Sequence, residues 1–446
     1  MKKVYRRFLL AGSVVIFMLV APALVLYAMG YRWTALGGAP QVGVLYIDTV
    51  PRGADIFING QRVGSAPNAV SSLPAGPVQV EIRKAGYQPW HKNIFITPST
   101  VTELRSVRLF PVTLVRQPLL PHLVSFADAP NQQTIAAITN DRAIHFLSGS
   151  EAVETIPAAH FKIQPEAVWW STDNATLLMR NRAGAYYVLT TTPVLTMRSL
   201  PMLANASQVT WDPRVPDRII FLGNNGTLNA LTLSTGDVTI LLDDVTMFSA
   251  TSRAIVAARP QGQITILDLQ GSVSQQLAVP STEVITSLAT TDAGLMAVIT
   301  ATKHIYVTNT PGVFTRLPVS AAAATWSPNG YILAIQSDQN TLYIYNTHPP
   351  STDWLPVDAV HLVARFSRPF TQLAWLSDSR HVLYQLDDNL AISEIDTRDY
   401  PATFIVDTVN QRDASVHVLG NGDSVIYLKR EGNQTILSRT FLTVQP

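Results

Sequence analysis

The chain has 446 residues, 47% apolar and 14% charged, with a formal net charge of +1. That length allows two or three domains with their own cores, and that composition excludes a disordered chain, which needs low hydrophobicity and high charge. Lys2, Lys3, Arg6, Arg7 and Arg32 precede every acidic residue; taking those five from the 32 Lys and Arg leaves 27 against 31 acidic residues. A mildly acidic body excludes a nucleic-acid groove, which depends on clustered cations to displace counterions. The absence of cysteine excludes disulfides, thiolate metal sites and a cysteine nucleophile, and suits an exported chain that avoids unpaired thiols.

The first element is an apolar run. After a basic tail at residues 1–7, residues 8–29, from Phe8 to Met29, carry no charge. At ~1.5 Å per residue such a helix spans ~33 Å, against a hydrocarbon core of ~30 Å. The sequence therefore predicts one transmembrane helix over 8–29. Its positive flank places the N-terminus in the cytoplasm, and Tyr31 and Trp33 suit the far interface. Ala21-Pro22-Ala23 raises the rival of a cleavable signal peptide. The apolar run continues past it, which favours an uncleaved anchor. Residues 30–40 read as a linker, and everything from about 34 onward as extracytoplasmic.

Residues 41–111 are patterned for an all-β module. Val78, Val80 and Ile82 alternate with Gln79, Glu81 and Arg83, the period of a half-buried strand. Ile56-Phe57-Ile58 runs into Asn59-Gly60, two residues tolerant of positive φ, as a tight hairpin turn requires. Pro74-Ala75-Gly76 marks a second turn, and Ile94, Ile96, Leu104, Val107 and Leu109 fit two further strands. On Pro51-Arg52-Gly53-Ala54, Ile56 to Gly60, Gly64-Ser65-Ala66-Pro67, Leu73 to Gly76 and Lys84-Ala85-Gly86-Tyr87, the segment resembles the PEGA domain. Arg52 stands where that family has its namesake Glu, and Ala66 where Thr or Ser is usual. The resemblance implies a small β-sandwich-like accessory module of surface and envelope proteins, without chemistry of its own. Tyr46, Tyr87 and Trp90 are read as packing aromatics in preference to a ligand platform.

From residue 115 to 446 a unit recurs: an aromatic or apolar residue, a polar turn, then an apolar strand. Phe126, Trp170, Trp211, Phe248, Leu288, Trp326, Trp375 and Val418 mark eight copies at a step of roughly 40 residues. Strands such as Gln263 to Leu267 and Thr341 to Tyr345 follow within the units, each after a turn rich in Gly, Asn or Asp. Three or four short strands per unit make a propeller blade, which buries its two faces only against neighbours. The pattern resembles the WD40-like β-propeller repeats of the TolB type. Trp326-Ser327-Pro328-Asn329-Gly330 is the nearest match, with Asn329 in place of Asp, and four of eight units keep the Trp. Eight blades are predicted, with seven the alternative. The long step from Trp326 to Trp375 holds Pro349 to Trp354, read as a loop insertion on one rim.

Tryptophans in phase with the repeat are read as wedges between blades; Trp169 and Trp354 fall out of phase and are the better ligand-contact candidates. No constellation of catalytic, cofactor-binding or metal-ligating residues emerges. His145, His160, His304, His348, His361 and His381 stand singly, and neither a His-Glu-x-x-His run nor a phosphate-cradling loop exists. Asp243-Asp244 and Asp387-Asp388 are adjacent carboxylates whose side chains diverge in a strand or turn, unsuited to acid–base work. Asn174, Asn205, Asn225 and Asn433 open glycosylation sequons that matter only in a glycosylating host, and the domain types look bacterial. The expected function is thus non-enzymatic: a membrane-anchored, extracytoplasmic scaffold whose propeller binds a protein or cell-envelope glycan, with no cofactor. The rivals are a propeller-based envelope hydrolase or lyase and a structural surface-layer component.

Overall fold

The computed structural model describes residues 2–28, 41–148, 151–157, 163–190, 195–310, 312–348, 354–411, 415–420 and 422–444. The chain divides into two compact units: Met1–Thr113 with Pro350–Trp354 and Thr397–Ala402, and Leu114–Pro349 with Leu355–Asp396 and Thr403–Pro446.

The first element is a helix, α1, at Lys2–Ala28, with Pro22 inside it. Here the sequence expectation is corrected. Among the described residues no helix is long and apolar enough to cross a membrane. α1 begins at Lys2, so its first six residues carry four cations, Lys2, Lys3, Arg6 and Arg7. The transmembrane helix predicted over 8–29, and the single-pass placement that rested on it, are therefore not supported. Residues 29–40, which hold the predicted linker and Tyr31 and Trp33, lie outside the described residues.

The module that follows is a sandwich of two small sheets. One holds Asn68–Pro74, Val42–Val50 and Val101–Arg108 in that order; the other holds Gln61–Ser65, Asp55–Ile58, Gly76–Arg83 and Trp90–Ile96. Val42–Val50 runs parallel to Val101–Arg108, and every other pairing is antiparallel. Alternation in Gly76–Arg83 sends Val78, Val80 and Ile82 into one core with Leu45, Ile56, Ile94 and Leu104. The Asn59-Gly60 turn forms as expected: both residues have positive φ, 49° and 80°, and Asn59 Oδ1 accepts the backbone N–H of Gln79 at 2.9 Å.

Among the described residues the second unit forms eight four-stranded antiparallel sheets, here numbered as blades. Their inner strands are Leu123–Asp128, Pro165–Trp170, Ala206–Trp211, Met247–Ala250, Ile285–Thr290, Ala323–Trp326, Phe370–Trp375 and Val416–Leu419, for blades 1 to 8. Blade 8 takes its fourth strand, Arg116–Leu120, from the start of the repeat region, pairing with Gln434–Phe441. First and last segments are thereby joined in one sheet. Asp407 of blade 7 secures the seam. It accepts from Arg116 Nε at 3.1 Å, from Lys429 Nζ at 3.0 Å and from the Tyr427 hydroxyl at 2.6 Å. Burial, aided by the neighbouring Asp407 carboxylate, pushes the Tyr427 hydroxyl far above the ordinary phenol range, so it remains a donor.

The repeated turn has a local chemical cause. Ser327 Oγ donates to Asn329 Oδ1 at 2.6 Å and accepts from Ile332 N at 3.0 Å, while Gly330 supplies a φ of 78°. Ser171 and Asp173 repeat the arrangement in blade 2. Such side-chain-to-backbone bonds pin a turn irrespective of its distant surroundings.

Blades meet through apolar wedges and through the indoles. Trp170 Nε1 donates to Ala127 O, Trp211 to Trp169 O, Trp326 to Ala289 O and Trp375 to Thr325 O, all at 3.1–3.2 Å. Each in-phase tryptophan thus binds the inner-strand backbone of the preceding blade. Phe248 has no indole N–H. Blade 3 instead grips blade 4 through Gln208, whose amide donates to Phe248 O at 2.7 Å and accepts from Phe248 N at 3.1 Å.

Candidate functional site

The C-terminal ends of several inner strands bound a cavity of about 450 Å³ in the propeller, within the size range of ligand sites. It is walled by Trp169, Trp170 and Trp211, by Pro130 and Pro213, and by Asp128 and His417. Because the blades repeat, equivalent strand ends arrive at one place, and residues some 40 positions apart become neighbours.

Trp169 is the exposed member of this wall. Its side chain is 40% accessible, and its ring stacks on Tyr186 with centroids 6.5 Å apart. One position later, Trp170 turns toward blade 1, edge-on to Phe146 at 5.7 Å. Strand alternation explains the division of labour: successive residues face opposite ways, so one indole packs while its neighbour meets solvent. Thr172 also lines the cavity, and its buried Oγ1 has no hydrogen-bond partner. A buried hydroxyl without a partner is unfavourable.

The polar edge is a pair formed across the seam. His417 Nδ1 of blade 8 bonds Asp128 Oδ1 of blade 1, and the imidazole lies 4.8 Å from the Phe126 ring. His417 precedes the marker Val418 by one residue, and Asp128 follows the marker Phe126 by two. Nothing local ties them together; they meet because blade 8 closes beside blade 1. That phase relation was the one available sequence signal.

The other nominated residues are placed elsewhere. Trp354 lies in the first unit, where the Arg398 guanidinium sits 5.4 Å from its ring. Residues 349–353 of the predicted insertion are outside the described residues. Trp90 is buried in the sandwich core, Tyr87 packs against that core, and Tyr46 carries Arg105 over its ring at 5.5 Å. His145 bonds Thr139 and Thr155, and burial lowers its pKa. His304 bonds Thr302 and lies 3.3 Å from Glu283, while His348 stacks on Tyr331. His381 pairs with Asp378 at 2.8 Å, His361 Nε2 is buried without a hydrogen-bond partner, and His160 is outside the described residues. Asp243 and Asp244 are exposed, and Asp387 sits in a turn beside Arg368. Among the described residues no group of three or more His, Asp or Glu is placed to hold a metal ion.

Fold and site together define an eight-bladed β-propeller preceded by a small β-sandwich. Residues 42–109 match the PEGA domain family, as the sequence resemblance anticipated. The C-terminal WD40 domain of Sif2 superposes with a TM-score of 0.53 at 12% identity, over 74% of this chain and 99% of that domain. Sqt1 of Saccharomyces cerevisiae does so with a TM-score of 0.51 at 12% identity, over 75% of this chain and 99% of that one. At such identity the likeness establishes the WD40-type propeller fold alone. No curated protein matches the chain.

Proposed function

We propose that this protein is an extracytoplasmic binding scaffold whose propeller cavity receives a segment of a partner protein of the cell envelope. The observation that carries the reading is a cavity that presents the exposed face of Trp169 beside the polar pair Asp128 and His417. Flat aromatic surface beside a few fixed polar groups is how rigid folds recognise ligands. Propellers of the WD40 type generally act on protein partners, and PEGA modules belong typically to extracellular or periplasmic proteins. Binding without catalysis is the form proposed. Catalysis would call for acid and base groups converging from several blades and free to act; among the described residues that line the cavity the titratable ones are Asp128 and His417, already bonded to each other across blades 1 and 8.

The test is site-specific photocrosslinking of the full chain in its native envelope, with p-benzoylphenylalanine in place of Trp169. A discrete protein adduct at 169, absent when the probe replaces the exposed Ser234, is the expected result. A smear identical at both positions, or an adduct that contains only glycan, would sink the reading.

A further inference from the structure

Among the described residues every blade ends in an outer strand with one unpaired edge, a template for unwanted strand addition. Six of the eight outer strands carry a charged residue, among them Glu154 in Glu151–Ile156, Arg198 in Thr196–Ser199 and Arg316 in Val313–Ser320. Two of these also contain proline: Pro318 in blade 5 and Pro118 in blade 8. Blade 4 uses a polar strand, Val-Ser-Gln-Gln-Leu-Ala. Blade 3 has none of these devices. Its outer strand, Val238–Leu242, reads Val-Thr-Ile-Leu-Leu. Val238 and Ile240, on the same face, are 44% and 62% exposed. One edge pairs with Leu228–Thr232, and among the described residues no strand pairs with the other.

The charges around this strand say what can cover it. Exposed Asp237 precedes it, and exposed Asp243 and Asp244 follow it. Arg259 reaches Asp244 only at 3.6 Å. A second copy of the strand would set aspartate against aspartate at both ends, in parallel or antiparallel register alike. Like charges across a strand pair are destabilising, so self-pairing is disfavoured. An extended chain with alternating apolar residues and a cation at each end meets no such penalty.

We propose that the outer strand of blade 3 is a strand-addition site for an extended peptide segment with β-branched residues at its centre and Lys or Arg at both ends. Main-chain hydrogen bonds supply the attachment, Val238 and Ile240 the apolar contact, and the flanking aspartates the choice of partner. The site is independent of the cavity and of the function proposed for it.

The experiment is fluorescence anisotropy on the full chain with two labelled peptides sharing a Thr-Val-Thr-Val-Thr-Val-Thr centre, one flanked by Lys-Lys and the other by Glu-Glu. The Lys-flanked peptide is expected to bind about tenfold more tightly, the sum of two or three exposed ion pairs, with the preference fading as salt rises. Ile240→Lys, which gives this strand the device its sister strands carry, should abolish binding with the melting temperature unchanged. Asp237→Asn with Asp243→Asn should erase the preference while some binding persists. Trp169→Ala should leave all of this unaltered, which separates this site from the cavity. Equal affinity for the two peptides, no binding of either, or a concentration-dependent dimer that Ile240→Lys dissolves would each overturn the proposal.

Discussion

The PEGA module and the propeller solve the same problem, a sheet with apolar surface to bury, in different ways. The module lays two sheets face to face over a single cluster that includes Leu45, Ile56, Val80, Ile82 and Ile94. The propeller has no such single centre. Its clusters sit between blades: Ile138 with Val168 and Met179, Leu178 with Trp211, Ile220 with Ile255, Val256 with Val298, Ile299 with Ile335, and Ile135 with Ile426. A sandwich is complete once two sheets meet. A blade is complete only when both neighbours are present, so the propeller depends on polar ties at its joints in a way the module does not.

The sharpest test of that difference is Asp212, wholly buried between Arg214 and Arg218, with contacts of 2.6–2.9 Å. Arg214 also donates to Asp268 O at 2.8 Å, which ties blade 3 to blade 4. Asp212→Ala strands two guanidinium groups and should cost the propeller about 3–5 kcal/mol, read by calorimetry. The pH dependence has a definite sign. Burial alone would raise the Asp212 pKa, but the hydrogen bonds and charge of Arg214, with Arg218, outweigh it and leave the carboxyl below its ordinary value. A depressed carboxyl stabilises the fold above its unfolded pKa and loses that contribution as pH falls through its folded one. The gap between wild type and Asp212→Asn should therefore be constant near neutrality and shrink below about pH 4. A gap that widened in acid would contradict the assignment.

Next in size is the module. Ile56→Ala empties part of its one core and should cost about 2–5 kcal/mol. Amide hydrogen exchange should quicken throughout residues 42–109 and stay unchanged in the blades. Protection lost only next to position 56 would break the contrast with the propeller. Asp407→Asn tests the seam: weakening its bonds to Arg116, Lys429 and Tyr427 should cost about 1–3 kcal/mol. Exchange should rise first in Arg116–Leu120 and its partner strand. The smallest effect belongs to a single wedge. Trp326→Phe removes the bond to Ala289 O and some packing, about 1–2 kcal/mol by thermal unfolding. A cost as large as that of Asp212→Ala would mean that indoles, not the buried ion cluster, dominate the joints.

Much of this architecture is legible in one dimension because its causes are local. Asn59-Gly60 forms its turn through residues that tolerate positive φ. Ser327 and Asn329 fold their turn through bonds to neighbours, and the phase of Trp170, Trp211, Trp326 and Trp375 announces a shared wedge. Trp169 stood out because it breaks that phase. The expectation at the N-terminus was overturned: an uncharged run was taken to measure a membrane span, but among the described residues no helix is long and apolar enough to cross a membrane.

Composition, turn chemistry and the recurring marker residues determined by themselves an all-β chain with a PEGA module and eight repeat units, since strand period and turn geometry are set by residues a few positions apart. Tertiary structure alone decided that Arg116–Leu120 completes blade 8 and that His417 meets Asp128. Those outcomes depend on closing a ring between segments some three hundred residues apart. Proximity of that kind is created by the packing of whole blades and leaves no pattern in neighbouring residues.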